Sequence, residues 1–337
     1  MRLTIWTLAG LMLYVSLSTP SMSTAKENEW EKKRKMPTKR MSLSTVAVNG
    51  KIYAFGGSQP GGPPFPFTNL STVEVYNPVT DRWIEKRDLL SPRAGFAVSS
   101  VNGKIYVFGG IPGLTTVEEY NPVTDTWTKQ TDMPTPRSWL STSVVNGKIY
   151  VFGDNLEAAS TIEEYDPVTD TWTKRAKMRT SRWALSSSAV KGKIYVFGGI
   201  LEGKDEILSI VEVYDPATDT WIKKADMPTP RAFFSTSVVN GKIYAIGGSA
   251  NVSEGLSTVE VYDPATNTWT QKAKMPTPRA WLSTSAMNGK IYAIGGSWNW
   301  PVPLSIVESY DTGFVPRSVD AKGKLATLWG TLKILAK

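Results

Sequence analysis

Six near-copies of one short phrase, recurring at the interval of a supersecondary unit, predict an all-β fold: a β-propeller of six blades. Two further observations point the same way. Each unit divides into four short strand-like segments with no helical period among them, and the sixth unit stops one strand short while an unmatched copy of that strand stands near the start of the chain.

The phrase reads NGKIYAFGG from Asn49, NGKIYVFGG from Asn102, NGKIYVFGD from Asn146, KGKIYVFGG from Lys191, and NGKIYAIGG from Asn240 and Asn288. Its tyrosines, Tyr53, Tyr106, Tyr150, Tyr195, Tyr244 and Tyr292, lie 44 to 53 residues apart. Within a unit the first strand is a run of small and β-branched residues such as STSVV. It ends at Asn-Gly, a hairpin signal because both turn residues accept positive φ. KIYVFG supplies the second strand, rich in β-branched and aromatic residues, and closes on paired glycines that permit a reversal or a close approach a Cβ would block. VEVY supplies the third, and Asn/Asp-Pro with Thr-Asp or Thr-Asn turns the chain into a fourth strand headed by Trp83, Trp127, Trp172, Trp221 or Trp269. One such sheet cannot bury both faces alone, so the units must stack around an axis.

The double glycine, the later Tyr and Trp and the Arg before the first strand stand in the order of the kelch repeat, which the chain closely resembles over residues 30 to 310. Asp154 replaces the second glycine in the third copy and Asn267 replaces the Asp before the last tryptophan; neither threatens the fold. The sixth copy ends after its third strand, residues 306–310 (IVESY). Trp30 in NEWEKKRKMPTKR matches Trp127 in DTWTKQTDMPTPR, so the N-terminal segment is expected to close the last blade as its outer strand.

Ahead of that strand, Met1 and Arg2 precede an uncharged apolar run over residues 3–17 and a small, polar stretch over residues 18–25. This is the pattern of a secretory signal peptide cleaved after Ala25; the run is shorter than the roughly 20 residues that cross a bilayer. The expected organisation is a signal peptide at 1–25, the propeller at 26–316 and a basic tail at 317–337, with export to a periplasm or the cell exterior. In the tail, Leu325, Leu328, Trp329, Leu332 and Leu335 recur at helical spacing among lysines, which suits a basic amphipathic helix, although Gly330 opposes it and an extended strand stays open; the segment is expected to contact a partner or an anionic membrane surface, or to pack against the propeller's own side.

The chain holds no Cys and no His, which removes disulfides, thiolate and imidazole metal ligands and the commonest general base. No cofactor is expected. Net charge is +8, but residues 1–25 contribute +1, 26–40 contribute +4 and 317–337 contribute +4, leaving −1 for residues 41–316. A balanced body argues against nucleic acid as partner, and nothing in the sequence calls for more than a monomer.

In an antiparallel blade the uniform Asn-Gly and Asp-Pro turns share one face, while the loops after the second strand share the other and differ in every copy. That variable face is where binding is expected. It should carry Arg93, Arg137, Arg182, Arg231 and Arg279, with Arg40 completing the ring, beside Phe96, Trp139, Trp183, Phe233 and Trp281; Trp298 and Trp300 join from the last loop. Exposed guanidinium groups and aromatic faces suit an acidic protein segment or a glycan, and kelch propellers that bind acidic peptides use arginines at this repeat position. The arginines also match in number the third-strand glutamates Glu74, Glu118, Glu163, Glu212, Glu260 and Glu308, which leaves structural pairing open.

The leading expectation is thus a non-catalytic binding module outside the cytoplasm. The resemblance also admits a sugar epimerase, because bacterial kelch propellers include sialic-acid epimerases; the carboxylates available are Glu157, Glu202, Asp205, Glu206 and Glu254. The kelch copper oxidases have no counterpart here, since their Cys-Tyr crosslink and histidine ligands are missing.

Overall fold

The computed structural model describes residues 28–61, 67–154 and 159–315, so the expected signal segment, the tail and Glu157 lie outside the described residues. Six four-stranded antiparallel sheets make six blades, with no helix among the described residues. Blade one is built from Ser44–Val48, Lys51–Phe55, Val73–Asn77 and Arg82–Lys86. The innermost strands of blades two to five are Ala97–Val101, Ser141–Val145, Ser186–Val190 and Ser235–Val239. Every first hairpin turns over two residues, with Asn49 at φ 50° and Gly50 at φ 71° in blade one.

Blade six closes the ring non-locally. Ser283–Met287, Lys290–Ile294 and Val307–Asp311 take Trp30–Lys32 as their outer strand. Trp30 lies opposite Tyr310 as Trp83 lies opposite Tyr76, so the N-terminal segment enters in the register of every other fourth strand.

The core lies between blades rather than within them. Phe55, Val73 and Val75 of blade one pack on Phe96, Ile105, Val107 and Tyr120 of blade two, and the pattern repeats around the ring to Leu43, Ile52 and Tyr76 against Tyr292, Ile294 and Val307. This is why the second strands read as nearly continuous apolar runs after their leading lysine: both of their faces are covered.

At the outer rim a two-point clasp joins each neighbour. Trp83 Nε1 donates to the Arg34 carbonyl, and the Arg34 amide donates to Asp81 Oδ1. Trp127 and Asp125 hold Arg87 in the same way, Trp172 and Asp170 hold Thr131, and Trp221 and Asp219 hold Ala176. Each aspartate also accepts its own blade's third-strand tyrosine hydroxyl, 2.7 Å for Tyr76 to Asp81. Asn267 fills the position without loss, accepting the Tyr262 hydroxyl at 2.6 Å and the Ala225 amide at 3.0 Å. In blade six Asn28 accepts from Tyr310 and Trp30 donates to Ala273, which completes the belt with residues from the other end of the chain.

Two expectations follow from this geometry. Removing residues 28–33 strips blade six of its outer strand and its clasp, so the shortened chain should melt well below the parent in differential scanning calorimetry; an unchanged melting temperature contradicts non-local closure. The tyrosine hydroxyls and backbone amides hold Asp81, Asp125, Asp170 and Asp219 below the ordinary carboxylate range, although partial burial opposes them. A depressed folded-state pKa contributes stability that is present above the unfolded value of about 3.9 and is lost as pH falls through the folded value. The fourfold Asp→Asn chain, which copies the arrangement at Asn267, should fold and show a shallower loss of stability than the parent in urea titrations between about pH 5 and pH 2.

Candidate functional site

The six arginines do not form a ligand-facing ring. Arg40, Arg93, Arg137, Arg182, Arg231 and Arg279 each show 0% exposure. Each pairs with its own blade's third-strand glutamate: Arg40 with Glu74 at 2.7 Å, Arg93 with Glu118, Arg137 with Glu163 at 3.1 Å, Arg182 with Glu212 at 2.9 Å, Arg231 with Glu260 and Arg279 with Glu308 both at 2.7 Å. The binding role expected for Arg93, Arg137, Arg182, Arg231 and Arg279 is therefore corrected to a structural one. A guanidinium removed from water must be matched by an opposite charge and by further acceptors, and here the carbonyl of the first glycine supplies one, as Gly56 does for Arg40 and Gly247 for Arg231. Burial pulls Arg40 and Arg279 down to about 10 despite Glu74 and Glu308, which leaves both cationic at neutral pH. Phe96 is likewise buried between blades and not at the surface.

The same arginines stitch each blade to the preceding one through their backbone. The amide of the second glycine donates to the arginine carbonyl of the next blade, Gly57 to Arg93 at 2.9 Å and Gly296 to Arg40 at 3.1 Å. A Cβ on the first glycine would meet that carbonyl, 2.6 Å away at Gly56 and 2.4 Å at Gly198, so the repeat demands glycine there. In blade three Asp154 stands at the second-glycine position; its side chain is fully buried and accepts the Ser138 amide of the same blade at 3.1 Å.

Two residues after each arginine the chain turns left-handed, at Ser42, Gly95, Trp139, Ala184, Phe233 and Trp281, with φ between 51° and 59°. These six amides and carbonyls make a closed head-to-tail ring about the axis: Gly95 donates to Ser42, Trp139 to Gly95, Ala184 to Trp139, Phe233 to Ala184, Trp281 to Phe233, and Ser42 to Trp281 at 2.9 Å. Non-glycine residues adopt this conformation at a cost, and the ring of hydrogen bonds offsets it.

Beneath the ring lies an axial shaft of about 190 Å³ lined by the inner strands. Hydroxyls bridge the blades across it, Ser141 to Ser187 at 2.9 Å, Ser186 to Thr236 at 2.9 Å and Thr284 to Ser235 at 2.9 Å. The serine- and threonine-rich first strands thus exchange hydrogen bonds between blades instead of packing as an apolar core.

Above the ring, on the variable-loop face, opens a bowl of about 600 Å³. Its floor is a connected set of rings: Phe233 meets Trp139 at 5.1 Å, Trp183 at 5.6 Å and Trp281 at 5.0 Å between centroids. Phe67 and Trp300, 5.3 Å apart, form a wall continuous with it. Met41, Ile111, Ile200 and Val252 add apolar surface, and Ser42, Ser58, Asn69 and Asp205 are its polar members. Two short antiparallel pairs position lining residues: Ser58–Pro60 with Phe67–Asn69, and, across the first hairpin of blade four, Arg182–Trp183 with Ile200–Leu201.

Of the tryptophans expected at a site, Trp139, Trp183, Trp281 and Trp300 meet in this bowl, whereas Trp298 stands 55% exposed outside its lining. Of the candidate carboxylates among the described residues only Asp205 reaches it; Glu202 accepts from Ser181, and Glu206 and Glu254 stand exposed on their loops. Phe67, Asn69, Ile111 and Val252 were not expected. Each lies in a loop that differs between copies, so no repeat position marks it. Among the described residues no group of three acidic, His or Cys side chains is placed to hold a metal ion.

Against known families, residues 136–179 match the Kelch motif. The units are kelch repeats. Residues 13–154 match the KLHDC2/KLHL20/DRC7 Kelch-repeats domain and residues 176–300 the FKB95 Kelch-repeats domain. Similar proteins include the Kelch repeat and BTB domain-containing protein 1 of Cowpox virus (strain GRI-90 / Grishak), 34% identical over 100 residues. That match covers 28% of this chain and 16% of the viral protein. An F-box/kelch-repeat protein of Arabidopsis thaliana is 36% identical over 83 residues, 25% of this chain and 21% of the plant protein. The chain therefore matches a minor part of each relative, and these relatives are viral and plant proteins.

The buried pairs make a direct prediction. Replacing Arg137 by alanine strands Glu163 without its charge partner and should cost about 3–5 kcal/mol of unfolding free energy in urea. A loss below about 0.5 kcal/mol, the range of an ordinary surface substitution, contradicts the structural role.

Proposed function

We propose that this kelch-repeat chain is an exported, non-catalytic interaction module that holds a segment of another protein in the aromatic bowl of its variable-loop face. The observation that carries this reading is the bowl itself: about 600 Å³, floored and walled by six aromatic rings, and lined by residues from all six blades. Aromatic side chains supply large contact area at little entropic cost and dominate binding hot spots. The viral relative is named for kelch repeats and a BTB domain and the plant relative for an F-box and kelch repeats, and the matches cover 16% and 21% of those proteins.

A glycan calls for several converging hydrogen-bond groups, and the lining is poor in free ones. Asn69 already donates to the Ile111 carbonyl, and the Ser58 backbone pairs with Met41. A protein segment with an apolar anchor uses the surface better. Sugar epimerisation needs groups that move protons on both sides of a carbon, and among the described residues the bowl brings together a single carboxylate, Asp205. Export rests on the charge and hydropathy pattern of residues 1–25, and the basic segment 317–337 is proposed to touch an anionic membrane surface.

Display of random linear peptides against the full chain should select binders with an apolar anchor. Phe67→Ala together with Trp300→Ala, both at the accessible wall, should weaken those binders by about tenfold or more, the loss of one good contact, while the melting temperature stays close to that of the parent. Selected peptides that bind the parent and the double variant equally would place the site elsewhere.

A further inference from the structure

The electrostatics of the bowl say more about its occupant than its shape does. The six arginines of the repeat are withdrawn from the face and cancelled one for one by six glutamates. Among the described residues of the strand-two loops, the exposed charges are Glu202, Asp205, Glu206 and Glu254 against Lys204. Of these Asp205 lines the bowl, and among the described residues no Lys or Arg does; cations of the blade links such as Lys39 and Arg179 lie outside its lining. A lone carboxylate beside low-dielectric walls focuses a negative potential into the concavity. The faces of Trp139, Trp183, Phe233 and Trp281 carry negative quadrupole density that attracts a cation and repels an anion. An acidic segment would meet one like charge and no counter-charge. A cationic one meets both attractions at once.

Resting on the bowl as the binding site, we propose that its occupant is a cationic segment of another protein: a Lys or Arg side chain reaching Asp205 across the aromatic floor, with a neighbouring apolar side chain against Phe67 and Trp300. This reverses the sign of partner that an exposed arginine ring would select.

The test uses two synthetic peptide pools on the full chain, alike in a central Leu-Trp anchor and flanked at random positions by Arg in one and Glu in the other, with a Ser-flanked pool as neutral reference. Fluorescence anisotropy should give the Arg pool an affinity about tenfold above the neutral pool and the Glu pool one below it. The advantage should shrink as NaCl rises. Asp205→Asn should erase it and leave the neutral pool unchanged. Equal or tighter binding of the Glu pool, or an Arg advantage untouched by Asp205→Asn, overturns the inference. If the Phe67→Ala and Trp300→Ala chain loses every pool while charge makes no difference, the bowl stands as the site and only the cationic occupant falls. Pools that bind without dependence on Phe67 and Trp300, or that do not bind at all, reject both.

Discussion

The arginine–glutamate pair at the heart of each blade sets the terms for everything around it. A guanidinium with no solvent contact has to find a carboxylate and several carbonyls, and the blade supplies them from its second and third strands: Glu74, the Gly56 and Ala54 carbonyls and the Thr72 carbonyl around Arg40. Satisfying that one side chain pins the second strand, the third strand and the link into the first strand together. The arginine backbone, meanwhile, receives the second-glycine amide of the preceding blade. A single residue type therefore holds a blade internally by its side chain and joins it to its neighbour by its main chain. Pairs of this kind specify geometry more than they add stability, because desolvation consumes much of the attraction.

From that anchor the chain has two residues in which to reach the axis, and it does so by turning left-handed at the same position in all six blades. The resulting ring of peptide hydrogen bonds separates two chemically distinct spaces. Below it hydroxyls pair across the shaft. Above it the side chains of the turning residues are free to differ, and they do: Trp139, Phe233 and Trp281 carry rings, while Ser42, Gly95 and Ala184 are small. Gly95 is small for a reason, since a Cβ there would lie 3.1 Å from the Trp139 indole. The bowl's floor is thus an asymmetric set of side chains on a nearly six-fold backbone.

Positions that agree in all copies, namely the Arg, Glu, first glycine, Tyr and Trp, serve pairing, inter-blade packing and the rim clasp. Positions that disagree, Phe67, Trp183, Asp205 and Trp300 among them, gather at the mouth of the bowl. A repeat that must stack on copies of itself leaves discrimination to its exceptions.

The period, the strand count, the face that carries variable loops and the closing role of Trp30 were all legible in the residues, because each depends on local patterning: turn chemistry, alternation and the copying of one unit. The third-strand glutamates matched the arginines in number, yet number alone leaves a side chain free to point either way. Which way Arg137 or Arg231 points was decided by the stacked blades, where the space beside the first glycine is enclosed and the glutamate is already buried in it. The bowl was decided there too. Phe67 lies more than 230 residues from Trp300 in sequence, and the two meet only because blade six returns beside blade one. Local sequence determines the unit; ring closure determines which loops face one another, since it alone brings the two ends of the chain to the same axis.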